Sequence, residues 1–260
     1  MEFLSVAHSD TGIKKSTNQD SVLMKEAVTD FGKVLLCVVC DGMGGLAKGE
    51  VASASLIRAF SYWFENEFPH ILYDKNNQTE FCADDLWRSW DKLIGDTNRK
   101  IEKYGAQFHA ALGTTVSALL LINNHYYITN IGDTRVYMIR QALQQITKDH
   151  TYVQREIDQG RMTPEQALVD PQRNVLLQCV GASQVVIPDF YQGTFERETI
   201  FMLCSDGFRH QITPEEIYSL LNPGTLKNEK NMRDAAIYCT ELNKQRKETD
   251  NISVILVRTY

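Results

Sequence analysis

Apolar and polar positions alternate in short blocks at the start of the chain, then lengthen to a helical period, then shorten again. Phe3–His8, Ser21–Thr29 and Lys33–Cys40 read as strands, with Gly32 turning the chain between the last two. From Glu50 to Phe68 the period is 3.6 residues: Val51, Ala54, Ala59, Tyr62 and Trp63 recur on one face, and Pro69 is expected to close that helix. Ala83–Tyr104 reads as a second helix, with Leu86, Trp87, Trp90, Leu93, Ile94 and Ile101 on one side. Strands return at Val116–Ile122, Tyr126–Ile131 and Val136–Arg140, the first two joined by the hairpin-like turn Asn123-Asn124-His125. The stretch from His150 to about Ser183 is polar and weakly periodic apart from a short helix after Pro164, and reads as a surface excursion. Val185–Tyr191 and Thr199–Cys204 read as strands, Pro214–Leu221 and Met232–Asn243 as helices, and Ile252–Val257 as the last strand. Two blocks of mostly antiparallel strands with two pairs of helices predict an α+β sandwich.

Composition narrows the class. The 260 residues carry 27 basic and 33 acidic side chains, a net charge of −6, which argues against a general binder of nucleic acid. A hydrophobic fraction of 43% is enough to bury a core and excludes disorder. Length alone leaves one large domain or two small ones open, at roughly 150 residues per domain. The first ten residues lack the basic-then-apolar layout of a signal peptide, and the longest apolar runs, Val34–Cys40 and Val116–Ile122, are strand-sized. A soluble cytoplasmic protein without a membrane segment is expected. Cys37 and Cys40 spell C-x-x-C, but an odd spacing within a strand sends the two thiols to opposite faces, so buried thiols are expected rather than a redox or zinc site.

One chemical pattern recurs. Three apolar strands run into an aspartate followed by a small or turn-forming residue: Val34–Cys40 into Asp41-Gly42-Met43-Gly44-Gly45, Tyr126–Ile131 into Gly132-Asp133-Thr134, and Phe201–Cys204 into Ser205-Asp206-Gly207. Asp250-Asn251 opens the last strand, and Asp20 stands just before Ser21–Thr29. Antiparallel pairing sets the end of one strand beside the start of the next, so these carboxylates are expected at one rim. So many negative charges repel one another unless hard divalent cations with a taste for oxygen ligands sit among them. Such cations generate a nucleophilic water and clamp phosphoryl oxygens. Any single Asp-Gly after a strand is most often only a turn, and spacing alone does not separate a metal hydrolase from a calcium-stabilised domain.

Seven motifs in order settle the direction: Ser9-Asp10-Thr11-Gly12 through Asn18-Gln19-Asp20; Asp41-Gly42-Met43-Gly44-Gly45 with Gly49-Glu50; Gly113-Thr114-Thr115; Asn130-Ile131-Gly132-Asp133-Thr134-Arg135; Thr147-Lys148-Asp149-His150; Ser205-Asp206-Gly207-Phe208; and Asp250-Asn251-Ile252-Ser253. Nearly end to end, the chain resembles the metal-dependent protein serine/threonine phosphatases of type 2C, in particular their bacterial-type members. The resemblance implies one domain over residues 1–260, built as a four-layer sandwich of two antiparallel β-sheets flanked by pairs of α-helices, with a flap at about residues 150–183. It implies Mn2+ or Mg2+ as cofactor, two in a core site and a third, weaker one. Asp41 would bridge two metals, Gly42 would add its carbonyl to one of them, Asp206 and Asp250 would complete the shell of the other, and Asp133 would hold the third metal. Asp20 would orient metal-bound water, and a bridging water or hydroxide would attack phosphorus in line without a phosphoenzyme. The substrates implied are phosphorylated proteins made by a serine/threonine kinase in a signalling role, with the enzyme a monomer.

Three positions depart from the family pattern. Lys15, preceded by Lys14, stands where the family has an arginine that grips the substrate phosphate, and supplies charge without the planar fork. Gln19 replaces a frequent glutamate, and Met43 replaces the histidine that eukaryotic members offer as general acid, so a metal-bound water becomes the candidate proton donor. Lys15 is the expected phosphate grip and, with Asp20, the expected catalytic pair. Glu50 and Arg135 are expected as internal supports, Thr114 and Thr115 as strand packing, and His150 and His210 as structural or surface groups. Arg155, Arg161 and Arg173 of the flap offer charge for a phosphopeptide. The alternative to an enzyme is a pseudophosphatase that binds phosphoproteins; a hydrolase of small phosphate esters shares every residue named.

Overall fold

The computed structural model describes residues 1–44, 48–73 and 81–260. Twelve strands and eight helices are seen among them. In chain order they are β1 (Phe3–Asp10), β2 (Ser21–Thr29), β3 (Gly32–Cys40), β4 (Gly42–Gly44), α1 (Gly49–Asn66), α2 (Phe68–Leu72), α3 (Ala83–Gln107), β5 (Leu112–Thr114), β6 (Val116–Ile122), β7 (His125–Ile131), β8 (Arg135–Ile139), β9 (Leu143–Gln145), α4 (Tyr152–Asp158), α5 (Pro164–Val169), β10 (Asp189–Thr194), β11 (Ile200–Cys204), α6 (Asp206–Arg209), α7 (Pro214–Leu221), α8 (Glu229–Gln245) and β12 (Ile252–Thr259).

Two five-stranded sheets, ordered β10-β7-β6-β3-β2 and β1-β12-β11-β8-β9, are antiparallel throughout. Three apolar clusters separate four layers. Side chains of one parity, such as Leu35, Cys37 and Val39 of β3 and Ile255 and Val257 of β12, meet between the sheets. Those of the other parity, such as Val34, Leu36, Val38 and Cys40, pack under α1, α2 and α3. Ile252, Val254 and Leu256 pack under α6, α7 and α8. Burial on both faces explains why the central strands are continuous apolar runs instead of alternating ones. It also sends Cys37 and Cys40 into different cores, as the strand period requires. Burial pushes the thiol of Cys204 up to about 12 and that of Cys40 well above its usual value, so these sulfurs act as small hydrophobes.

Several elements differ from the sequence reading. The buried face of α1 is Ala52, Leu56, Phe60, Trp63 and Phe64; Trp63 lies on it as expected, whereas Val51, Ala54 and Ala59 are only half-buried and Tyr62 is 61% exposed. The bulkier set wins because it fills more of the space over the sheet, where Trp63, Phe60 and Trp90 of α3 pack edge to face. Pro69 does not simply close a helix: it sits in the first turn of α2, where its missing N–H costs nothing. The strand expected at Val185–Tyr191 begins at Asp189, and Val185 and Ile187 are largely exposed. Residues His150–Ser183 contain α4 as well as α5. The two are capped by Thr151, which accepts from the Gln154 amide, and by a reciprocal Thr163–Gln166 box. Among the described residues no helix is long and apolar enough to cross a membrane.

Candidate functional site

Every candidate carboxylate stands at one end of the sandwich, because the strand ends put it there. Ser21 pairs with Cys40, so Asp20 and Asp41 are neighbours across the β2–β3 ladder. Cys204 pairs with Val254, so Ser205-Asp206 leaves β11 beside Asp250-Asn251 entering β12. Gly132-Asp133-Thr134 carries the chain from β7 in one sheet to β8 in the other, with Gly132 at a φ of +96° that favours glycine.

Backbone and side-chain bonds lock these ends. Thr115 Oγ1 accepts from the Asp41 amide at 3.0 Å, while the Thr114 hydroxyl donates to the Asp41 carbonyl at 3.0 Å. The strand-packing threonines therefore set the direction of Asp41. Gly42 donates its N–H to the Gln19 carbonyl at 3.2 Å, and a Cβ at Gly42 would collide with the carbonyls of Gln19 and Gly49. Gly45 lies outside the described residues. Asn251 stitches the N-terminal loop to the rim: its side-chain amide donates to Thr11 and Thr17 carbonyls, and its oxygen accepts from the Gln19 amide.

The electrostatics are those of a crowded anionic ring. Burial, then the charges of Asp20, Asp206, Asp133 and Asp250, hold Asp41 well above the usual carboxylate range. Asp20 is pushed up to about 7 by burial and by Asp206 and Asp250; the Ser253 and Ser205 hydroxyls pull the other way but stand outside hydrogen-bond geometry. Asp133 rises to about 7 by burial and the Asp206 charge, against the pull of Arg209. Three buried oxygens, both of Asp20 and one of Asp206, have no partner among the described residues, a costly state in a low-dielectric interior. Oxygen-only donors with open valences suit a hard divalent cation. Among the described residues no three His, Cys, Asp or Glu side chains are already gathered as a metal-binding group.

Cationic side chains thread the ring, and the strand-end pattern did not reveal most of them. Lys15 pairs with Asp250 at 2.9 Å and is 39% exposed. Arg135 grips both oxygens of Asp149 at 2.8 and 2.7 Å and bonds Tyr137. Arg209 lies beside Asp133, and His210 stands between Asp206 at 3.7 Å and Glu248 at 3.6 Å. Glu248 drops to about 2: although burial raises it, His210 and the backbone N–H groups of Asp250 and Thr249 outweigh that. His150 is structural, its Nε2 3.1 Å from Asp189 and its Nδ1 met by Gln178. Glu50 has one buried oxygen without a partner among the described residues. Of the flap arginines, Arg155 and Arg161 are tied to Glu156. Arg173 lines a cleft of about 640 Å³ that runs from Asp133 and Asp250 to Leu168 and Val169 of α5.

A family model described as protein phosphatase 2C matches residues 11–237. The chain belongs to the protein phosphatase 2C family. It is 32% identical over 221 residues to the serine/threonine protein phosphatase PstP of Mycobacterium tuberculosis, an alignment that covers 83% of this chain and 38% of PstP. The structure of the S. agalactiae serine/threonine phosphatase superposes with a TM-score of 0.82 at 26% identity, over 100% of both chains. The catalytic domain of PstP in complex with two manganese ions gives a TM-score of 0.74 at 28% identity, covering 98% of this chain and 97% of that domain. The phosphatase 2C fold thus extends over the described chain.

Proposed function

We propose that this phosphatase 2C chain removes phosphate from phosphoserine and phosphothreonine of proteins, with Mn2+ or Mg2+ held at the acidic rim. The observation that carries the reading is the convergence of Asp20, Asp41, Asp133, Asp206 and Asp250, with buried oxygens lacking partners, on a fold shared with a manganese-bound phosphatase. Asp41, Asp206 and Asp250 would hold the cations through carboxylates, Gly42 through its carbonyl. Bound there, the cations supply a nucleophilic water and neutralise phosphoryl charge.

The chain's own groups do the rest. Asp20, dry and beside Asp206, accepts a hydrogen bond or a proton at its carboxylate without leaving the interior. Lys15, on the exposed side of Asp250, exchanges its ion pair with that carboxylate for one with the substrate phosphate. The cleft under α5 receives the polypeptide flanking the phosphorylated residue, with Arg173 and Lys247 toward anionic side chains and Leu168 and Val169 toward apolar ones. Residues 150–183 thus act as the flap of a single domain.

The test is release of phosphate from a phosphothreonine peptide and from p-nitrophenyl phosphate, with manganese and with EDTA, beside Asp206→Asn. Manganese-dependent turnover that favours the peptide and is lost in the variant supports the reading. Preference for the small ester points to a general phosphomonoesterase, and silence on both substrates from a protein that binds manganese points to a phosphoprotein-binding module.

A further inference from the structure

Arg209 ends α6 with its side chain 11% exposed. Its Nη2 donates to the Asp133 carbonyl at 3.0 Å and lies 3.6 Å from a carboxylate oxygen of both Asp133 and Asp149. Asp149 is already matched by the two-pronged grip of Arg135. The Arg209 charge is therefore directed at Asp133, the residue expected to hold a third metal. On the neighbouring carboxylate, His210 faces Asp206. The Asp133 side of the rim is thus furnished with basic groups of the chain itself, whereas no ion pair reaches Asp20 or Asp41 among the described residues.

We infer that Arg209 is the resident cation of the Asp133 subsite, so that this chain takes two divalent cations at its rim and excludes a third. The inference rests on the metal-dependent reading above. A guanidinium stays charged at any working pH. A divalent ion ligated by Asp133 would meet that fixed charge at close range in a poorly screened cleft. Moving the guanidinium away would break its bond to the Asp133 carbonyl and leave a partly buried charge without partners. Arg209 is on this account a positioning residue: it neutralises Asp133 and fixes it without touching substrate.

The experiment is a count of bound manganese after equilibrium dialysis of metal-free protein, by elemental analysis. It compares wild type, Arg209→Met, which keeps bulk and removes charge, Arg209→Lys, which keeps charge, and Arg209→Met combined with Asp133→Asn. Wild type and Arg209→Lys are expected to saturate at two ions per chain. Arg209→Met gains a third site, tighter than in wild type by roughly tenfold or more, and the double variant loses it again. If Arg209→Met does not fold, Arg209→Gln, which retains a donor for the Asp133 carbonyl, takes its place. Three ions in wild type, or two in both neutral variants, overturn the inference and leave the metal-dependent reading standing. No bound manganese in wild type overturns both.

Discussion

The two halves of the acidic rim are furnished in opposite ways. Beside β2 and β3, Asp20 and Asp41 are enclosed by protein, and no basic side chain forms an ion pair with either among the described residues. Beside β8 and β11, Asp133, Asp149, Asp206 and Glu248 are met by Arg135, Arg209 and His210. The first half holds its carboxylates without a counter-charge; the second carries counter-charges of its own, yet it too keeps Asp133 raised to about 7 and leaves one Asp206 oxygen without a partner among the described residues. On the proposed reading, cations from solution would be held by Asp41 on the unfurnished side and by Asp206 and Asp250 on the other, while Arg135 and Arg209 hold the strand ends still.

The sharpest way to break this comparison is to remove Asp41. Asp41→Asn is expected to lower manganese-dependent turnover by roughly a thousandfold or more. It should also raise the melting temperature in EDTA, because it deletes a charge the fold holds at a cost. On the furnished side the sign reverses. Arg135→Ala leaves the nearly inaccessible Asp149 with only the more distant Arg209, at 3.6 Å, and should cost about 2–4 kcal/mol in chemical denaturation. Asp20→Asn comes next. A folded-state value near 7 against 3.8 for the free group corresponds to a stabilisation on substitution of at most ~4 kcal/mol in metal-free protein at alkaline pH. The smallest effect is expected from Lys15→Arg, which adds a planar fork and should lower KM for phosphate monoesters about two- to fivefold; an unchanged or higher KM would place the phosphate grip elsewhere.

The same values fix a pH dependence. Asp20 and Asp133 have folded-state values raised to about 7, so between about pH 4 and 7 the folded chain binds more protons than the unfolded one. Stability of the metal-free protein therefore falls from these groups as pH rises through that window. Thermal melts in EDTA across it are expected to decline, and melts in manganese to decline less or to rise.

How legible this was differs between the rim and the layers. The strand-to-aspartate junctions were visible because an apolar run ending in Asp-Gly marks both the strand and its turn, and the antiparallel register then places the carboxylates together. On α1 the sequence places Trp63 correctly but not its neighbours, since Val51, Ala59 and Tyr62 satisfy the helical period as well as Leu56, Phe60 and Phe64 do, and only the volume available over the sheet chooses. Val185 and Ile187 look like strand residues but lie in an exposed connection. Arg209, His210 and Glu248 carried no signal: a charged residue in a short helix or loop gains meaning only when the fold supplies its partner. Within the ring, then, the carboxylates were readable, and of their counter-charges only Lys15 and Arg135 stood in a recognisable motif.

Proton release tests the division of the rim most directly. Manganese is added to metal-free protein in weak buffer near pH 6.5, where carboxylates titrating near 7 are mostly protonated, and the acid liberated is measured. The account predicts release of more than about half a proton per chain in wild type, and a clear drop in Asp20→Asn and Asp41→Asn. Manganese binding with no proton released, or with release unchanged in both variants, would contradict it.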